Sequence, residues 1–219
     1  MSQTCDVVVL LSGTGSNLQA LIDSTRTGDS PVRIAAVISN RSDAYGLQRA
    51  KDASIDTRVL DHTAFEGREA FDAALIDVID TFNPQLVVLA GFMRILSAGF
   101  VRHYQGRLLN IHPSLLPSFP GLHTHRKALE AGVRVHGATV HFVTPTLDCG
   151  PVVIQAAVPV LPGDDEAALA RRVLEQEHRI YPQAVRWFVD GRLTLTDGRV
   201  LVQGERAQPG GWTVPPVEA

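Results

Sequence analysis

Residues 7–22 read VVVLLSGTGSNLQALI. The apolar run at 7–11 has the length of a strand, the glycines at 13 and 15 turn the chain, and Leu18, Leu21 and Ile22 then fall at helical spacing. Strand, glycine turn and helix open a βαβ unit. Working outward, residues 32–39 read as a second strand, 45–53 as a short helix and 57–60 as a third strand. From Arg68 onward, Phe71, Leu75, Val78, Ile79 and Phe82 recur with the period of a helix packed on a sheet. Residues 85–90 and 108–112 supply two further strands. Strands alternating with helices predict a parallel sheet with right-handed crossovers. Beyond them, 126–131 reads as a short helix, and 135–143 and 152–160 as strands whose short connection makes them antiparallel neighbours. A last long helix opens at 163–166 with Leu169, Val173 and Ile180 inward, and Pro182 is expected to restart or kink it. Residues 193–202 form a hairpin turning at Asp197-Gly198. The predicted fold class is α/β: a Rossmann-like, mostly parallel sheet flanked by helices, becoming mixed and antiparallel in the C-terminal half. One domain is expected over 1–205, followed by a loose tail at 206–219.

Composition narrows the function classes. With 219 residues, 45% of them hydrophobic, the chain can build a large core. A net charge of -3 with scattered Lys and Arg leaves no basic face for nucleic acid or an anionic membrane. The longest apolar runs are too short to span a bilayer, and the N-terminus lacks the pattern of a secretion signal, so a cytoplasmic protein is expected. The two cysteines, Cys5 and Cys149, have neither disulfide-framework nor metal-ligand spacing.

Several residues then invite chemistry. Free amides at the turn 12–17 suit an anion, and Ser16 or Asn17 could cap the helix or bond that anion. Leu18 stands where a dinucleotide fingerprint needs its third glycine, and no acid ends the second strand, so a single phosphate fits better. A tight turn without a ligand is the alternative. Asn110 and His112, at i and i+2 of the fifth strand, project from one face at its carboxyl end, where open parallel sheets bind ligands. An amide donor beside an imidazole suits an oxyanion forming on a carbonyl; the plainer alternative is two polar side chains satisfying loop carbonyls. Asp148 either caps its loop or, if beside His112, favours the charged imidazolium. Arg68, in the first turn of its helix, opposes the helix dipole and is either a surface residue or held for an anionic ligand. Phe92, Met93, Ile95 and Leu96 are too apolar for an exposed loop and should line something. Glu177, on the flank of the last helix, is either half solvated or bonded to a ligand. His123, His125, His136 and His141 lack supporting thiol or carboxylate spacing, so no metal is expected.

Taken together, SGTGSNLQALI, REAFD at 68–72, LVVLAGFMRIL, GRLLNIHPSLLPSFPGLHTH, HGATVHFVTPTLDCGPV and QEHRIYP resemble the phosphoribosylglycinamide formyltransferase family. The resemblance runs in the family's order from about residue 7 to 195. It departs at Cys149, where the family commonly has Gly, and in the tail. It implies the formyltransferase fold, with 1–105 as a phosphate-binding half and 106–205 as a catalytic and folate-binding half. The implied reaction moves a formyl group from 10-formyltetrahydrofolate to glycinamide ribonucleotide in purine biosynthesis, with Asn110, His112 and Asp148 catalytic. Gly15, Ser16, Asn17 and Glu177 match substrate-binding positions. Arg68, Met93, Arg94, Ile95, Leu96, Asn110, Thr144, Pro145, Thr146, Leu147 and Asp148 match folate-contacting ones. No metal or nicotinamide is implied, no macromolecular partner beyond a monomer or weak homodimer, and the loop from 114 to about 135 is expected to close over the ligands. Rival expectations are a tRNA formyltransferase, which would need a further basic C-terminal domain; a formylfolate hydrolase, which usually carries an N-terminal regulatory domain; and a nonenzymatic nucleotide-binding module.

Overall fold

The computed structural model describes residues 4–26 and 30–205. The expected tail at 206–219 lies outside the described residues. The chain builds β1 (Cys5–Leu11), α1 (Ser16–Thr25), β2 (Val32–Ser39), α2 (Tyr45–Asp52), β3 (Asp56–Val59), α3 (Arg68–Asp80), β4 (Leu86–Leu89), α4 (Ala98–His103) and β5 (Leu108–His112). It continues with α5 (Thr124–Glu130), β6 (Val135–Phe142), β7 (Val152–Pro159), α6 (Glu166–Val189), β8 (Leu193–Thr196) and β9 (Arg199–Val202). The first seven strands form one sheet in the order β3-β2-β1-β4-β5-β6-β7. Pairing is parallel from β3 through β5, as the alternation of elements predicts, and antiparallel for β6–β7, as their short connection predicts; β5–β6 is antiparallel as well.

Every residue from Val7 to Leu11 is buried because both faces of the central sheet are covered. Val7, Val9 and Leu11 face α1 and α6, whereas Val8 and Leu10 face Phe71, Leu75 and Ile79 of α3 and Phe100 of α4. Each such fully buried aliphatic side chain contributes about 1.5–3 kcal/mol. This explains why the first strand reads as an unbroken apolar run rather than an alternating one.

Two expectations need correction. Pro182 does not restart the helix, since α6 runs from Glu166 to Val189 without a break. The proline forgoes one backbone hydrogen bond, and the buried stripe on either side, Val173 and Ile180 before it and Ala184 and Val185 after it, holds the helix against the sheet. The short helix expected at 126–131 is α5 at Thr124–Glu130, which starts two residues earlier. The buried Thr124 hydroxyl donates to the Pro113 carbonyl and ties the start of α5 to the end of β5. Within α6, Tyr181 is fully buried with its hydroxyl 2.8 Å from the Leu89 carbonyl and 3.2 Å from that of Leu109, at the ends of β4 and along β5.

Candidate active site

The alternation of β5 sends Leu109 and Ile111 into the core on one side of the sheet and puts Asn110 and His112, with Leu108, on the other, as their spacing predicts. Asp148, from the β6–β7 connection, reaches that face. Its Oδ2 lies 3.6 Å from His112 Nδ1, an ion-pairing distance somewhat longer than a direct hydrogen bond, and the two side chains are only 7% and 8% exposed. Local backbone geometry aims the carboxylate. Asp148 sits in the left-handed region with φ 52, which Asp tolerates better than most residues. Two positions on, Gly150 packs so closely on β6 that a Cβ there would lie 1.7 Å from the Phe142 carbonyl oxygen.

The loop after Pro113 lies across this pair. The Phe119 carbonyl is 3.1 Å from His112 Nε2, and the Gly121 N–H donates to Asp148 Oδ2 at 2.8 Å. The loop is held from beneath by Thr139, which stands opposite His112 in the β5–β6 register. Its hydroxyl donates to the Ser114 carbonyl at 2.6 Å and accepts the Leu116 N–H at 3.0 Å. An imidazole with a carboxylate at one nitrogen, beside a primary amide and screened from bulk water, can stabilise an oxyanion and carry a proton.

A second cluster stands at the carboxyl end of β1. Gly15 precedes α1 with φ 71, and a Cβ on it would meet Gly46 Cα at 2.6 Å, so the turn accepts only glycine. No side chain caps α1. Of the two roles open to Ser16 or Asn17, capping the helix or bonding an anion, capping does not occur: both lie inside the first turn, past the position from which a side-chain oxygen reaches the free amides. Asn17 instead donates to Glu177 Oε2 at 2.7 Å, joining residues 160 positions apart. Glu177 is thus not half solvated: it is 7% exposed. Burial pushes its carboxyl pKa up, and the hydrogen bond from Asn17 pulls it partly back. Asn17 Oδ1 is buried with no hydrogen-bond partner among the described residues. Open helix amides, an open acceptor and a carboxylate suit an anion flanked by hydroxyl groups.

Ser12 ties this turn to the segment after β4, a link the sequence did not signal. Its hydroxyl donates to Asn40 Oδ1 at 2.6 Å and accepts the Met93 N–H at 2.8 Å. Met93, Ile95 and Leu147 are exposed apolar side chains, while Leu96 packs on the core. The Arg94 guanidinium lies 6.0 Å from the centre of the Phe71 ring. Arg68 is exposed in the first turn of α3, three residues before Phe71. Pro145 and Thr146 are exposed on the β6–β7 connection, where the Thr144 hydroxyl donates to the Thr146 carbonyl at 3.1 Å.

The four histidines considered as ligands part company. His125 and His136 meet edge to face with centroids 5.3 Å apart, and burial lowers the His136 pKa to about 4. His123 is exposed ahead of α5, and His141 is directed at Asn110. Among the described residues no group of three metal-ligating side chains gathers. No helix among them is long and apolar enough to cross a membrane.

The chain belongs to the formyl transferase family, whose pattern matches residues 5–185, and it is an enzyme of formyl transfer. It is 56% identical over 207 residues to phosphoribosylglycinamide formyltransferase of Escherichia coli K12, covering 94% of this chain and 98% of that protein. The crystal structure of glycinamide ribonucleotide transformylase 1 from Symbiobacterium toebii superposes with a TM-score of 0.90 at 50% identity, covering 93% of this chain and 96% of that one. A formyltetrahydrofolate deformylase from Pseudomonas syringae shares the fold at TM-score 0.86 but is 28% identical, over 92% of this chain and 67% of its own. The expected α/β class and the resemblance drawn from the motifs agree with these likenesses.

Proposed function

We propose that this enzyme transfers the formyl group of 10-formyltetrahydrofolate to the amine of glycinamide ribonucleotide, giving formylglycinamide ribonucleotide and tetrahydrofolate in purine biosynthesis. The observation that carries the reading is Asn110 and His112 on one face at the carboxyl end of β5 with Asp148 at 3.6 Å from the imidazole. The substrate amine attacks the formyl carbon, and the new C–N bond forms as the carbonyl oxygen becomes an oxyanion. The Asn110 amide and the His112 imidazolium donate to that oxygen. Asp148 holds the imidazolium and helps carry the proton lost by the amine to N10, whose bond to carbon breaks as the intermediate collapses. The Gly15 turn, Ser16, Asn17 and Glu177 hold the phosphate and ribose. Met93, Ile95, Leu96 and residues 144–148 clasp the pteridine, and Arg68 and Arg94 meet the folate carboxylates. The partners are these small molecules, met in the cytoplasm by a single catalytic domain over 1–205 acting as a monomer or weak homodimer.

Identity of 56% to a named transferase against 28% to a deformylase favours transfer over hydrolysis. The test follows absorbance as a 10-formyl folate analogue loses its formyl group, with and without glycinamide ribonucleotide. Turnover should require the ribonucleotide and fall at least roughly a hundredfold in His112→Ala. Equal deformylation without the ribonucleotide would establish a hydrolase instead. Binding of both ligands without turnover would leave a binding module.

A further inference from the structure

Because β6 runs antiparallel to β5, Asn110 and His141 are direct cross-strand partners. His141 is 2% exposed, and its two ring nitrogens have different neighbours. Nδ1 lies 2.9 Å from the Phe142 carbonyl oxygen, which can only accept, so Nδ1 carries a proton. In the neutral ring Nε2 is then a bare lone pair. It lies 3.2 Å from Asn110 Nδ2, so the amide donates to it. Burial lowers the His141 pKa and keeps the ring in this neutral form. A flipped Asn110 amide would set its oxygen against the lone pair. The Phe142 carbonyl thus selects the tautomer, and the tautomer selects the amide orientation.

We propose that His141 is a positioning residue that fixes the Asn110 amide so that its second N–H, and not its oxygen, faces the reacting formyl oxygen. This rests on the reading of Asn110 as the oxyanion donor. Without His141 the amide is free to turn its oxygen toward the developing negative charge, where it repels instead of stabilising.

Three substitutions, alone and combined, and one spectrum test the proposal. His141→Leu removes the acceptor, while His141→Gln returns an amide oxygen at about the height of Nε2. His141→Leu should lower kcat roughly 10- to 100-fold with KM for either substrate changed less than about twofold, and His141→Gln should recover most of that loss. In an Asn110→Ala background, His141→Leu should cost less than about twofold further, because there is no amide left to orient. An equal cost in both backgrounds overturns the proposal, as does a well-folded His141→Gln as slow as His141→Leu. The wild-type protein alone provides a separate readout through 15N spectra of His141. Nδ1 protonated and Nε2 bare is the expected tautomer, and the reverse tautomer overturns the proposal even if no variant folds. These spectra need no substrate. The expected tautomer together with no ribonucleotide-dependent turnover in the wild type would strike the formyl-transfer reading and leave the positioning of Asn110 standing.

Discussion

At the carboxyl end of β1 the chain offers its backbone, and at the carboxyl end of β5 it offers side chains. The first cluster depends on a glycine turn so tight that Gly15 and Gly46 touch through their α-carbons, leaving helix amides free. The second depends on Asn110, His112 and Asp148, each aimed by a neighbour on β6 or in the loop crossing it. The difference follows from strand direction. A parallel strand ends in a turn into a helix, whose first amides lack partners. An antiparallel neighbour instead sets side chains of two strands face to face. The first cluster should therefore fail when a carbon is added, and the second when an aimed group is moved or lost.

The largest effect should come from Gly150→Ala, which adds a carbon beside the β5 cluster. With its Cβ 1.7 Å from the Phe142 oxygen, the backbone must shift, at a cost of about 3 kcal/mol or more and a melting point lower by roughly 6–12 °C. Below that melting point kcat should fall while KM for the ribonucleotide holds, since Asp148 moves and the β1 turn does not. A fall in ribonucleotide affinity would break the division of labour. Gly15→Ala should do the converse. A left-handed alanine costs about 1–2 kcal/mol, and the contact with Gly46 forces the turn open. KM for the ribonucleotide should rise by about tenfold or more with kcat little changed, measured by steady-state kinetics with saturating folate.

The smallest effect sharpens the comparison through pH. Glu177 has a raised pKa in the folded chain, so the folded state keeps its proton to higher pH than the unfolded one. Wild type therefore loses stability as pH rises from the ordinary glutamate value of about 4.3 through the raised value, and Glu177→Gln does not. Above that window Glu177→Gln should melt higher than wild type while binding the ribonucleotide more weakly. Melting curves that stay parallel across that window would show that the buried carboxylate carries no such cost.

Local pattern made part of this legible. Asn110 and His112 declare themselves because a strand alternates and Pro113 ends it, and Gly15 because a strand must turn into a helix there. Asp148 is different: its spacing suggested a loop cap as readily as an ion pair, and only the likeness of the whole chain to a family pointed it at His112. Its approach depends on a left-handed backbone and on Gly150 lying against Phe142, neither of which has a periodic signature. The bond between Asn17 and Glu177 spans most of the chain and emerges only when α6 lies beside α1. His141 looked like one of several loose histidines because its register against Asn110 depends on how residues 113–134 fold. Pro182 misled for a related reason: a local rule about proline gave way to the burial of the helix on both sides of it.

That same helix has a consequence for which changes of length the chain can absorb. Glu177 meets Asn17 at the β1 turn, and Tyr181, one helical turn later, meets the strand carbonyls of Leu89 and Leu109. The two contacts lock the rotation and the axial position of α6 against both clusters at once. A single residue inserted between them would rotate one contact by about 100° relative to the other, so either the turn or the strand ends would lose its partner. The hairpin turn at Asp197-Gly198 carries no such constraint. Length variation in enzymes built on this plan should collect in the hairpin and be absent from the interval between Glu177 and Tyr181.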